Sequence, residues 1–165
     1  MFFIDEMKKI IREKDIQNLG IFVDMDGVIA DYRFGEGKNI LNNVSGVYRD
    51  KRPIGATIEV LKELNREIKC RMHILSSCYH SEQIKEKNDW LNEYASFFEL
   101  ENRIIVMSNT FENRKKLKID RMIEMMQKFN YDYVVLIDDT HDILFLAIET
   151  LHEKVIPFHV ITLLD

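Results

Sequence analysis

A chain of 165 residues, 46% hydrophobic and 31% charged, has the length of one domain and enough apolar material for a core. Its net charge of −5 argues against a protein that grips nucleic acid through bulk electrostatics, while leaving a small nucleotide open as a ligand. Cys70 and Cys78 fit neither a zinc pair nor a disulfide framework, which suggests a reducing compartment.

Residues 3–14 carry Ile4, Met7, Ile10 and Ile11 at helical spacing. That spacing leaves open whether the helix covers the core or makes a homodimer contact. Leu19 to Val23 reads as a short apolar strand and runs into Asp24-Met25-Asp26-Gly27. Residues 32–52 are polar and include Gly35, Gly37, Asn42, Asn43 and Gly46, the composition of a small cap insertion. Pro53 opens a helix to about Arg66, with Ile58, Leu61 and Leu64 inward. Met72 to Leu75 is a second strand, ending in Ser76-Ser77, and Ser81 is placed to cap a helix through about Tyr94. Ile104 to Met107 is a third strand. Lys118 is predicted to open a helix whose apolar face holds Ile119, Met122, Ile123 and Met126. Tyr133 to Ile137 is a fourth strand ending in Asp138-Asp139, a helix follows to about Leu151, and Val155 to Phe158 makes a fifth. No stretch nears the ~20 apolar residues of a membrane span, and Asp5 and Glu6 interrupt the opening apolar residues. The expectation is a cytoplasmic protein.

Apolar strands alternating with helices predict an α/β fold with a parallel sheet covered on both faces. In such sheets ligands bind beyond the carboxyl ends of the strands. Asp24/Asp26, Ser76/Ser77 and Asp138/Asp139 all fall there. Side chains two apart on a strand start on one face, so Asp24 and Asp26 can share a site, and Gly27 lets the chain turn away. One carboxylate can attack phosphorus while its neighbour moves protons and a metal ion shields the charge.

The ordered set resembles the haloacid dehalogenase superfamily of phosphatases over roughly residues 19 to 160. Asp24-Met25-Asp26-Gly27-Val28 matches the first motif, His73-Ile74-Leu75-Ser76 the second, a helix lysine the third and Leu136-Ile137-Asp138-Asp139 the fourth. The resemblance implies a Rossmann-like five-stranded parallel sheet in the order 5-4-1-2-3, in a single domain spanning 1–165 with the cap at about 32–52. It implies Asp24 as nucleophile through an aspartyl-phosphate, and Asp26 as the acid that protonates the leaving oxygen and then activates water. It implies Mg²⁺ held by the Asp24 carboxylate, the main-chain carbonyl of Asp26 and Asp138, with Asp139 close by or acting through water. Ser76 and Ser77 would bind the phosphoryl oxygens, as would a lysine. Lys118 is preferred for that lysine over Lys116 and Lys115 on the pattern of a helix start, and the alternatives remain open.

Arg52-Pro53-Ile54-Gly55-Ala56, Ile74-Leu75-Ser76-Ser77 and Asp138-Asp139-Thr140 also resemble the 5′(3′)-deoxyribonucleotidase branch. That implies a nucleoside monophosphate as the small substrate. The 21 residues between Asp31 and Pro53 make a shorter cap than that branch carries. Tyr32, Phe34, Tyr48 and Arg49 are candidate substrate contacts, through stacking and bidentate phosphate binding. Alternatives are a phosphatase for a sugar phosphate or a nucleic-acid terminal phosphate, and a non-catalytic binding protein on the same scaffold. His73, Trp90 and the methionines read as structural. Asp31 reads as a loop-holding acid, and Cys78 as packing.

Overall fold

In the computed structural model, which describes residues 2–32 and 48–165, each apolar run is a strand and each stretch of helical period a helix. The elements in order are α1 (Phe2–Glu13), β1 (Leu19–Val23), α2 (Gly55–Glu67), β2 (Arg71–Cys78), α3 (Glu82–Tyr94), β3 (Arg103–Met107), α4 (Phe111–Lys128), β4 (Tyr133–Asp138), α5 (His141–Leu151) and β5 (Val155–His159). The strands form one parallel sheet in the order β3-β2-β1-β4-β5, the expected Rossmann-like arrangement.

Alternation along the strands sorts the core into two layers. Ile21, Val23, Ile74, Val135 and Ile137 pack with Phe3, Met7, Leu61 and Trp90, on the side of α1, α2 and α3. Phe22, Leu75, Val134 and Leu136 face the other way, onto Ile119 and Met122 of α4 and Ile143 and Ala147 of α5. The first helix therefore covers the core: Phe3, Ile4 and Met7 are buried, and Phe3 meets Phe158 edge-to-face at 5.1 Å. His73 is structural as expected, stacked on Phe22 at 4.6 Å and hydrogen-bonded through Nε2 to the Tyr131 hydroxyl at 2.7 Å. The Tyr131 ring lies against Gly20, where any Cβ would collide with it.

Two helix starts differ from expectation. Lys118 does not open a helix. α4 begins seven residues earlier, at Phe111, because Thr110 supplies the cap, its Oγ1 accepting from the Asn113 amide at 3.2 Å. Lys118 thus sits mid-helix. Ser81 precedes α3 but makes no side-chain cap. Gln83 instead braces the turn before the helix, its Oε1 accepting from the Tyr79 amide at 2.9 Å and the His80 amide at 3.3 Å.

The expected cap insertion falls mostly on 33–47, outside the described residues, and Phe34 with it. Its two stems lie side by side. The Asp31 amide donates to the Arg52 carbonyl at 2.9 Å and the Ile54 amide to the Ile29 carbonyl at 2.7 Å. Among the described residues no helix is long and apolar enough to cross a membrane.

Candidate active site

The register puts the acids together. Val23 pairs with Ile137, so Asp24 and Asp138 leave adjacent parallel strands side by side. The ladder continues to the site itself, since the Asp24 amide donates to the Ile137 carbonyl at 2.9 Å. The chain then turns sharply. The Met25 carbonyl accepts from the Val28, Ile29 and Ala30 amides, and Gly27 has φ +80°. A Cβ at Gly27 would lie 2.7 Å from Asp139 Cγ, so both the backbone angle and the space call for glycine.

Asp24, Asp138 and Asp139 each offer a carboxylate oxygen, all within 4.8 Å of one another. Lys118 reaches this group from α4. Its Nζ lies 2.8 Å from Asp138 Oδ2 and 3.1 Å from Asp24 Oδ1. Lys116 is exposed, and Lys115 pairs with Glu112 at 3.1 Å. Asp138 Oδ1 accepts from the Thr140 amide at 2.9 Å, and Asp139 Oδ2 accepts from the Tyr32 hydroxyl at 2.7 Å. Burial raises the Asp24 carboxyl to about 7; Lys118 opposes this, while Asp138 and Asp26 push the same way. Burial likewise raises Asp139, against the Tyr32 hydrogen bond. A buried triad of carboxylates facing one ammonium favours a further cation. An all-oxygen donor set suits a hard divalent ion such as Mg²⁺.

The Asp26 carboxylate turns to different partners. Oδ1 accepts from the Tyr48 hydroxyl at 2.9 Å and pairs with Lys51, and Oδ2 accepts from Lys87 Nζ at 2.8 Å. Burial alone would raise this carboxyl, but Lys87 and Lys51 outweigh it and hold it well below the usual range. Lys87 also donates to Ser76 Oγ at 2.7 Å and to the Ser77 carbonyl at 2.9 Å. Trp90, one turn further along α3, donates from its indole N–H to the Lys51 carbonyl at 2.9 Å and so fixes the segment that carries Lys51.

These groups border a cavity of about 320 Å³ lined by Asp24, Asp26, Ser77, Lys87, Arg114 and Lys118 among others. Ser76 is fully buried beneath it, and Ser77 lines it. Tyr32 and Tyr48 line it too, each with its hydroxyl on an acid; Arg49 is exposed and does not line it. Cys78 lines the wall, and burial raises its thiol, so it is not poised as a nucleophile.

Sequence reasoning missed Lys51, Lys87, Tyr79 and Arg114. Two of these carry a signal. Gln83, Lys87, Trp90 and Leu91 are all buried, which places a lysine in the apolar stripe of α3; Arg114, Lys118 and Met122 do the same in α4.

Comparison with solved structures gives a match over most of the chain. A crystal structure from Burkholderia xenovorans LB400, described as that of a haloacid dehalogenase-like hydrolase, aligns with a TM-score of 0.55. It is 11% identical, and the alignment covers 86% of this chain and 81% of that one. The chain shares the α/β Rossmann-like fold of that structure. No family model and no curated protein matches it.

Proposed function

We propose that the protein is a Mg²⁺-dependent phosphomonoesterase that works through an aspartyl-phosphate and acts on nucleoside monophosphates, including deoxynucleotides. The observation that carries this reading is the convergence of Asp24, Asp138 and Asp139 with Lys118 at the carboxyl ends of β1 and β4. A bound Mg²⁺ would supply charge neutralisation for the phosphoryl oxygens, held by Asp24, Asp138, Asp139 and the Asp26 carbonyl. Asp24 is the nucleophile at the mouth of β1. Its second oxygen attacks phosphorus while Lys118 keeps the carboxylate oriented. Asp26, held on the rim by Lys51, Lys87 and Tyr48, gives a proton to the leaving oxygen and later takes one from water. The two ammonium groups keep Asp26 ionised at rest, the form needed for the second step. An arriving phosphate dianion raises its proton affinity for the first. Ser77 donates to a phosphoryl oxygen, and Lys87 supports both serines from below.

The test is hydrolysis of p-nitrophenyl phosphate and of a panel of phosphorylated metabolites with Mg²⁺ present. Asp24→Asn is expected to lower turnover on the order of 10³-fold or more while the melting profile stays close to wild type. Equal rates for Asp24→Asn and wild type would overturn the mechanism. A preference for hexose phosphates over every nucleotide would overturn the substrate class.

A further inference from the structure

Of the cations in the cavity, Lys118 meets Asp24 and Asp138, and Lys51 and Lys87 meet Asp26. Arg114 is different. It is 6% exposed and lines the same cavity, yet among the described residues no carboxylate pairs with it. Its hydrogen bonds go to two neutral oxygens. Nη1 donates to the Ser108 carbonyl at 3.0 Å and Nη2 to the Tyr79 hydroxyl at 2.8 Å. The Tyr79 ring covers the guanidinium at 3.8 Å. A guanidinium has five N–H donors, so these two bonds leave three without a hydrogen bond among the described residues, on a side chain that lines the cavity. Burying such a charge without a counter-charge is costly, and a cradle that fixes its orientation suits a bidentate oxyanion.

The position is also separate from the nucleophile. Ser108 follows β3 and Tyr79 follows β2, two strands and one strand from β1 in the sheet, so at the usual strand spacing the guanidinium's anchors stand roughly 5–10 Å from the nucleophile's strand. That exceeds the span of one phosphoryl group. Tyr79 and Phe111, both partly exposed and both lining the cavity, give the intervening part of a substrate an aromatic wall. A purely structural clamp between the ends of β2 and β3 would need only the two bonds already made, and an uncharged donor would serve it.

We propose that Arg114, stacked on Tyr79, is a second oxyanion subsite, so that preferred substrates are phosphomonoesters with a further phosphate or carboxylate on the leaving-group side. The inference rests on the phosphomonoesterase reading and deepens its substrate class. The experiment compares kcat/KM within two pairs: a nucleoside 5′-monophosphate against the 3′,5′-bisphosphate of the same nucleoside, and ethyl phosphate against phosphoglycolate. Wild type is expected to favour the doubly anionic member of at least one pair by about tenfold or more. A gain in the first pair identifies phosphate as the second group, and a gain in the second pair carboxylate. Arg114→Gln should bring that ratio to about 1, and Arg114→Lys should restore part of it. No gain in either pair with wild type, or a gain that survives Arg114→Gln, overturns the subsite. If Arg114→Gln does not fold, wild type and Arg114→Lys still decide. If p-nitrophenyl phosphate is not hydrolysed, the phosphatase reading fails. Calorimetric binding of bisphosphate against monophosphate to wild type and Arg114→Lys then reads the subsite alone.

Discussion

His73 shows how one buried side chain couples the core to pH. Burial, helped by Arg71, lowers its imidazole to about 4 from the ordinary 6.5. The folded state therefore keeps it neutral where the unfolded chain is already taking up a proton. Its contribution is fully present above pH 6.5 and is lost as pH falls towards 4. The difference of 6.5 − 4 sets an upper bound of about 3 kcal/mol. Urea unfolding at pH 7 and pH 5 should show a steeper loss for wild type than for His73→Gln, which can still share a hydrogen bond with Tyr131. Identical losses would mean that His73 is not the sensor. At this same scale, Asp24, Asp26, Asp138 and Asp139 were legible in the sequence because short runs of acids ending apolar strands are conspicuous. Lys118 was selected for a reason that does not hold: it is not at a helix start, and it reaches the acids because it lies two turns inside α4 on the sheet-facing side. Lys51 carries no local signal, since it sits in a polar insertion and meets Asp26 only through the tertiary fold.

Helix α4 carries both Arg114 and Lys118, one turn apart on the same face, so its start position aims two cations at the cavity. Thr110 sets that start. Thr110→Ala removes the acceptor for the Asn113 amide and should lower unfolding free energy by about 1 kcal/mol, read as a lower urea midpoint with an unchanged slope. A shift within error would show that the cap is dispensable. Periodicity located α4 but misjudged where it begins, because the buried apolar residues that mark it, Ile119 and Met122, come only after its first two turns. Its first two turns, Phe111 to Leu117, are mostly polar and, apart from Arg114, at least partly exposed, and such residues look like a loop until the cap is seen. Ser81 shows the same limit: a side chain of the right type precedes α3, yet it makes no cap, and Gln83 holds the turn before the helix. The strands were easier. Their apolar runs needed no alternation to be recognised, as expected for a parallel sheet buried on both faces.

For the whole molecule, the triad of buried acids links folding to the cation. Asp24 directly follows the central strand β1, Asp138 ends its neighbour β4 and Asp139 opens the turn after it, so an ion that binds all three binds the folded chain alone. At about a hundredfold excess over its dissociation constant, Mg²⁺ should add roughly 2.7 kcal/mol, or on the order of 5–10 °C in melting temperature for a chain of this size. Scanning fluorimetry with and without Mg²⁺ reads this directly. Chelation should reverse the shift and Asp138→Asn should remove it; a shift that persists in Asp138→Asn would place the ion elsewhere. The three-layer arrangement was legible at this scale because it follows from the alternation of strands and helices, whereas the strand order came from the family resemblance of the motifs. What joins the layers at the site, such as the indole of Trp90 on the Lys51 carbonyl, was not, since it depends on contacts between segments 39 residues apart.

The amide bond from Asp24 to the Ile137 carbonyl makes the proposed nucleophile the last rung of the sheet rather than a loop residue. Its amide proton should then exchange with deuterium as slowly as those of β1, only through openings that dissolve the central strands. On heating, catalytic capacity and tertiary structure would disappear together, with no temperature at which a folded but inactivated species accumulates.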